Sequence, residues 1–261
     1  MTALSAKEQK LRHLLSSIAP LAVAFSGGVD SSLLLFLAYA ATPDRCLALT
    51  IDAPYHFRSE LSAAATFARQ LGVPQRIILF DPATLPHLLH NPPERCYLCK
   101  QALLMLCRAA LPTDWSLVDG SNLDDQTAHR PGRQALLEQG VRSPLAEAGF
   151  TKQEVRELSR RLGLASWDKP AQSCLLTRFP HGHLVTPAGL QRVEQCEEAI
   201  RQLGFGVVRV RSIGDCARIE CDNGELARAK LPIMEQICRS AGFKEVTLDP
   251  AGYRSGSMDQ N

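Results

Sequence analysis

The stretch Leu21-Ala22-Val23-Ala24-Phe25-Ser26-Gly27-Gly28-Val29-Asp30-Ser31-Ser32-Leu33-Leu34-Leu35 decides the fold of this chain. Five apolar residues in a row, closed by a glycine turn, read as a strand buried on both faces. The polar turn is followed at once by a second apolar run, residues 31–41, too long for a strand and read as a helix. Glycine in the turn lets the backbone take dihedrals closed to other residues and come close to a ligand. Amides at a helix start favour an anion, because unpaired N–H groups and the helix dipole both point at it. Ser26 and Ser31 add hydroxyl donors beside Gly27 and Gly28, and Asp30 suits a magnesium ion held against phosphates. The segment lacks the Gly-Lys-Ser/Thr ending of a Walker loop and does not fit the dinucleotide fingerprint.

Working outward, short apolar runs alternate with helical patterns through the first two-thirds of the chain. Residues 46–51, 76–80 and 116–118 join 21–25 as predicted buried parallel strands, with helices over 59–71 and 97–110 between them. Such alternation predicts an α/β fold, a doubly wound parallel sheet with ligands at the carboxyl ends of its strands. Thr151 followed by Glu154 predicts a capping box opening a helix over 152–162. Residues 166–186 are irregular and rich in reactive side chains, which predicts a functional loop between two domains. Beyond it the pattern becomes helix, strand, strand, helix, strand, a small α+β domain. The predicted division is 1–185 for the nucleotide-using domain and 186–261 for the smaller one.

The bulk composition excludes some classes. Over 261 residues, 45% are hydrophobic and 21% charged, as in a packed globular chain. The formal charge of +2, from 29 basic and 27 acidic residues, gives no electrostatic footprint for nucleic acid. The charged N-terminal segment lacks the apolar core of a signal peptide, and the longest apolar run is too short to span a bilayer. A soluble, cytoplasmic protein is the expectation, with no membrane partner.

Nine cysteines, an odd number, fit thiols or a metal site better than a disulfide scaffold. Cys96-Tyr97-Leu98-Cys99-Lys100 stands at a predicted helix start, where the terminus and the flanking Arg95 and Lys100 favour thiolate. Cys174 lies in the polar run Asp168-Lys169-Pro170-Ala171-Gln172-Ser173-Cys174, where a purely structural cysteine is unexpected. Three thiolates suit an iron–sulfur cluster with one iron left open. His181 or His183 would instead complete a Cys3His zinc site. Cys46, Cys107, Cys196, Cys216, Cys221 and Cys238 fall on strand or helix patterns and read as buried small hydrophobes. Arg209 and Arg211 alternate with Val208 and Val210, so both point to one strand face; that face suits a phosphate, or simply solvent.

Ser26-Gly27-Gly28-Val29-Asp30-Ser31 matches the signature of the PP-loop, or N-type ATP pyrophosphatase, superfamily. Its members resemble one another in cleaving ATP between the α and β phosphates to form an adenylate. Further segments resemble one family within it, the LarE-type sulfur transferases. These are Asn91-Pro92 with Arg95-Cys96 and Cys99-Lys100, Asp119-Gly120-Ser121-Asn122 with Asp124-Asp125, and Arg130-Pro131-Gly132. They continue with Arg142-Ser143-Pro144-Leu145, Trp167-Asp168-Lys169-Pro170, Cys174-Leu175 with Arg178, Arg209-Val210-Arg211, and the tail Gly252-Tyr253-Arg254-Ser255-Gly256-Ser257-Met258. Ala128-His129 departs from the pattern, in which an acidic residue commonly precedes the Arg-Pro-Gly.

The resemblance implies adenylation of a pyridinium biscarboxylate mononucleotide and sulfur insertion in nickel-pincer cofactor biosynthesis. It implies ATP and Mg2+ at the PP-loop with Gly120, and nucleotide contacts from Arg178, Arg209 and Arg211. It also implies a homo-oligomer. In one branch of the family a lone cysteine, here Cys174, gives up its own sulfur. In another, cysteines matching Cys96, Cys99 and Cys174 hold a 4Fe-4S cluster, and this chain has all three. Competing readings are a tRNA-thiolating enzyme, disfavoured by the near-neutral charge, and an ammonia-using ligase, which needs no thiolate.

Overall fold

The computed structural model describes residues 3–127, 132–254, 256 and 258. Ala128, His129, Arg130 and Pro131, with Ser255 and Ser257 of the tail, lie outside the described residues. In chain order the elements are α1 (Ala3–Ser17), β1 (Leu21–Ala24), α2 (Val29–Ala41), β2 (Cys46–Asp52), α3 (Arg58–Leu71) and β3 (Gln75–Leu79). There follow α4 (Pro86–Leu89), α5 (Arg95–Ala109), β4 (Ser116–Val118), α6 (Asp124–Thr127), α7 (Gly132–Glu138), α8 (Pro144–Glu147) and α9 (Lys152–Arg161). The chain continues with α10 (Pro187–Arg201), β5 (Val208–Ile213), β6 (Cys216–Cys221), α11 (Gly224–Ser240) and β7 (Glu245–Leu248).

Two compact units form. The first gathers Met1–Ala53, Arg58–Phe80 and Glu94–Ala171; the second gathers Pro54–Phe57, Asp81–Pro93 and Gln172–Asn261. The last crossing between the units falls at Ala171–Gln172, inside the polar loop.

In the first unit four parallel strands run in the order β3-β2-β1-β4. Side chains alternate across a strand, so each strand feeds two cores. Leu21, Val23, Ala48 and Val118 meet Leu11, Leu15, Leu33, Leu37 and Leu158 from α1, α2 and α9. Ala22, Leu49 and Leu117 meet Leu104, Cys107, Ala135 and Leu136 from α5 and α7. Helices thus cover both faces, and the doubly wound α/β architecture is the one observed. Helix α2 is apolar almost all round, which is the pattern of a helix buried on most sides.

Strand β3 corrects one expectation. It sits at the sheet edge, and Ile77 and Leu79 are 54% and 77% exposed. Ile78, on the other face, packs towards α5 and α7. An apolar run does not distinguish a central strand from an edge strand, because both carry the same residues.

The second unit holds a three-stranded sheet in the order β5-β6-β7, antiparallel between β5 and β6 and parallel between β6 and β7. Leu190, Val193, Cys196 and Ile200 of α10 are buried, as are Ala227, Met234 and Cys238 of α11. Among the described residues no helix is long and apolar enough to cross a membrane.

The capping box at α9 forms as the sequence predicts. The Thr151 hydroxyl accepts from the Glu154 amide, and the Glu154 carboxylate accepts from the Thr151 amide at 2.9 Å. Lys7 of α1 bonds the same carboxylate at 2.7 Å and the Gly149 carbonyl at 2.7 Å, tying α1 to the start of α9. Replacing Thr151 by Ala should lower stability by about 1 kcal/mol in urea denaturation, because one helix amide loses its acceptor.

Candidate active site

The loop between β1 and α2 is built by close backbone approaches that exclude side chains. Gly27 has a φ of +75°, and a Cβ added there would lie 2.9 Å from the Ala64 Cβ on α3. A Cβ on Gly120, just after β4, would lie 2.9 Å from the Ser31 amide nitrogen. Glycine is therefore required at both positions, at Gly27 for dihedral and space and at Gly120 for space alone.

Helix α2 starts at Val29, two residues earlier than the apolar run suggests, so Asp30 and Ser31 lie in its first turn. Its N-cap, Gly28, is extended and provides no side-chain cap. The first amides of a helix have no intrahelical acceptor, so this terminus presents its donors and its dipole to the loop. The Ser26 and Ser31 hydroxyls lie 3.2 Å apart, and Ser31 also donates to the Gly28 carbonyl at 3.2 Å. The arrangement is a cradle for phosphate oxygens.

Charged side chains ring this cradle within the first unit. Asp30 Oδ1 accepts from Asn122 Nδ2 at 3.0 Å, and Oδ2 pairs with the Lys152 ammonium. Lys169 donates to the Gly27 carbonyl at 3.1 Å and pairs with Glu60 at 2.7 Å. Arg156, one turn beyond Lys152 on α9, donates to the carbonyls of Trp167 and Lys169 at 2.9 and 2.8 Å. The segment carrying Lys169 is thereby held against the loop.

Asp119 fixes the other wall. Its carboxylate accepts from the Ser121 amide at 3.2 Å and from the Ser121 and Ser143 hydroxyls, both at 2.6 Å. Lys100 approaches it at 3.3 Å. Lys100 therefore stands at the end of β4, next to Cys99 in the chain and one turn along α5 from Cys96.

None of the nine cysteines is in a disulfide. Cys96 is exposed and Cys99 half-buried, three residues apart near the start of α5 in the first unit. Cys174, half-buried, belongs to the second unit and precedes a short 3-10 turn, Leu175–Arg178. Cys46, Cys107, Cys196, Cys221 and Cys238 are buried; burial pushes the Cys46 thiol up to about 12 and the Cys107 thiol up to about 11. Cys216 departs from that expectation: it is half-buried, because it is the first residue of β6, where the strand leaves the Gly214 turn.

The second unit contains a buried charge network. Arg178 is fully buried and makes a two-pronged pair with Glu197 at 2.8 and 2.9 Å. Its other terminal nitrogen donates to the carbonyls of Ser173 and Cys174, both at 3.1 Å, and to the Ser173 and Thr177 hydroxyls. The guanidinium thus holds the backbone that carries Cys174. Arg211 pairs with Glu220 at 2.6 Å and donates to the Thr177 carbonyl at 3.0 Å. Arg209 lies beside Tyr253, its guanidinium 5.1 Å from the ring centre. Phe57 receives Arg178 and Arg201 over its ring, both at 5.5 Å, which anchors the Pro54–Phe57 segment in this unit.

Arg209 and Arg211 are 2% and 4% exposed, so the β5 face they share is not a solvated one. Among the described residues, the three buried guanidiniums of Arg178, Arg209 and Arg211 share two buried carboxylates, Glu197 and Glu220. Burial and the neighbouring Arg178 charge lower the Arg209 guanidinium to about 10, against the raising influence of Glu197.

Sequence reading missed Lys152, Glu60, Glu197 and Glu220. Glu197 had a legible signal: it interrupts the apolar face of α10 between Val193 and Ile200 at helical spacing. Glu220 faces Arg209 across the β5–β6 ladder, a register that only the folded sheet defines. Lys152 and Glu60 meet the loop from α9 and α3, and neither position carries a local signal.

The asparagine synthase family matches residues 8–109, the part of the chain that contains the loop. A pyridinium-3,5-bisthiocarboxylic acid mononucleotide synthase of Lactiplantibacillus plantarum is 34% identical over 265 residues, covering 99% of this chain and 96% of that protein. An uncharacterised protein of Synechocystis is 39% identical over 264 residues, covering 98% of each. One from Methanocaldococcus jannaschii is 32% identical over 237 residues, covering 89% of this chain and 90% of its own. With the uncapped α2 terminus and its glycine cradle, these relationships define an ATP-using enzyme of the PP-loop class. Within that class the chain belongs to the LarE-type family of ATP-dependent sulfur transferases.

Two expectations follow from the geometry. Gly120→Ala should fold but bind magnesium ATP more than about tenfold more weakly by calorimetry, since one misplaced wall of an anion site forfeits charge-assisted hydrogen bonds. Glu197→Ala should cost about 3–5 kcal/mol in denaturant unfolding, because it strands the fully buried Arg178 charge.

Proposed function

We propose that this enzyme adenylates a carboxylate of pyridinium-3,5-biscarboxylic acid mononucleotide and replaces the activated oxygen with sulfur, in nickel-pincer nucleotide biosynthesis. The observation that carries the reading is the likeness, over nearly the whole chain, to a synthase named for the corresponding bisthiocarboxylic acid mononucleotide. The PP-loop cradle and the half-buried Cys174 held on its loop by Arg178 support it.

In the first step an acceptor carboxylate oxygen attacks the α-phosphorus of ATP and the α–β bridge breaks. Pyrophosphate leaves towards the α2 amides with Ser26, Gly27, Gly28 and Ser31 around it, and Gly120 closes the wall. Asp30 is the residue that would hold Mg2+. In the second step sulfur attacks the carboxyl carbon and AMP departs with the former carboxylate oxygen. Arg209 and Arg211, alternate residues on one face of β5, bind the phosphate of the acceptor nucleotide as charge-assisted donors. Arg178 serves the same site from behind, by fixing the Cys174 backbone. The first unit serves ATP and the second serves the acceptor.

Cys96, Cys99 and Cys174 would hold a 4Fe-4S cluster. Thiolate donors suit such a cluster, and none of the three has the deep burial that makes Cys46 and Cys107 inert. When bound, the cluster supplies sulfide for the insertion. A cytoplasmic location and a homo-oligomeric state complete the reading.

The test follows both halves of the reaction in anaerobically reconstituted protein. Wild type should release AMP and pyrophosphate and yield a thiocarboxylated nucleotide. Cys174→Ala should still release pyrophosphate but yield no thiocarboxylate. A Cys174→Ala protein with full turnover on ammonia would replace this reading with an amide-forming ligase. Reconstituted wild type should carry about four irons per chain, lost in Cys96→Ala and Cys99→Ala. Retention of single-turnover sulfur transfer by those two variants would instead make Cys174 the sacrificial donor.

A further inference from the structure

We propose that Lys152 is a resident counter-cation for Asp30, holding the metal's place until the metal nucleotide arrives and then moving to the phosphates. The inference rests on the ATP and magnesium reading of the loop and adds a residue to that chemistry. Both Asp30 oxygens are engaged: Oδ1 by the neutral amide of Asn122 at 3.0 Å, Oδ2 by the Lys152 ammonium. A divalent ion and an ammonium compete for the same carboxylate charge, and two cations side by side repel, so each weakens the other at Oδ2. Asn122 has no charge to compete with and instead fixes the direction in which Asp30 points.

Lys152 is built to let go. Its backbone is fixed, because it is the first residue of α9, follows the Thr151 cap, and donates its amide to Asp124 Oδ2 at 2.9 Å. Its side chain is 35% exposed, and a lysine stem carries a compact, strongly hydrated charge on four rotatable carbons. Asp30 lies in the first turn of α2, so an ammonium leaving it is already beside the amides that receive phosphate. Lys169, a second ammonium at the loop, is engaged by Glu60 and by the Gly27 carbonyl.

The electrostatics explain the need. An anion-binding helix terminus with a bare carboxylate in its first turn would repel the nucleotide it is meant to hold. Lys152 cancels that charge while no metal is present. When the metal takes over Asp30, the ammonium is released towards the negative charge that remains on the polyphosphate.

A crossed pair of binding measurements on the full-length chain tests this. Manganese alone is titrated by electron paramagnetic resonance, and ATP is titrated by calorimetry in excess chelator. Lys152→Met keeps the stem and removes the charge, whereas Lys152→Arg keeps the charge. Loss of one charge-assisted contact corresponds to about tenfold in affinity. Lys152→Met should bind manganese about tenfold more tightly and metal-free ATP about tenfold more weakly, with Lys152→Arg near wild type on both. A merely structural lysine would move both affinities down together or neither, and either result overturns the proposal. A wild-type chain that binds no ATP under any condition refutes the ATP reading instead. The manganese titration then stands alone, and an unchanged manganese affinity in Lys152→Met overturns the role given to Lys152.

Discussion

The first unit depends on one steric constraint: the backbone of the β1–α2 loop has no room for a β-carbon on two sides. Gly27 meets Ala64 of α3, and Gly120 meets the Ser31 amide. These approaches bring the ends of β1 and β4 and the open terminus of α2 to one place. An anion-binding terminus is useful only if nothing in the chain satisfies its amides, and the extended Gly28 cap leaves them to a ligand. The charged residues of the unit are arranged around that requirement. Asp30, Lys152, Lys169 and Lys100 each have a partner within the unit, so the cradle is electrostatically settled while its amides stay available.

The second unit solves a different problem, that of keeping several guanidiniums inside a small α+β domain. Burying a charge is costly unless it is paired and hydrogen-bonded. Glu197 therefore takes two prongs from Arg178, and one of its oxygens also accepts from the Val210 amide at 2.8 Å. Glu220 takes Arg211. The same network that makes the arginines tolerable also fixes the Cys174 carbonyl, so electrostatics and the placement of the Cys174 loop are one design.

Much of this was legible in the order of residues. The glycine turn between two apolar runs announces a strand, a phosphate cradle and a helix, because each of those elements constrains residue type locally. The Thr151–Glu154 box is legible for the same reason. What was not legible is long-range. Lys152 meets Asp30 across 122 positions, and nothing near residue 152 marks it. The edge position of β3 is set by strand order, so Ile77 and Leu79 read as buried although they are not. Arg178 was legible only as a resemblance; its two-pronged pairing with Glu197 depends on how α10 packs. Glu197 itself could have been found, since a carboxylate on an apolar helix face demands a buried cation.

Sulfur insertion through an acyl adenylate leaves an isotopic trace. Its most direct test is one turnover with acceptor whose carboxylate carries heavy oxygen, followed by mass analysis of the released nucleotide. The AMP should bear a labelled oxygen, because the carboxylate oxygen that attacks the α-phosphorus leaves with it. Unlabelled AMP, or release of ADP in its place, would contradict it.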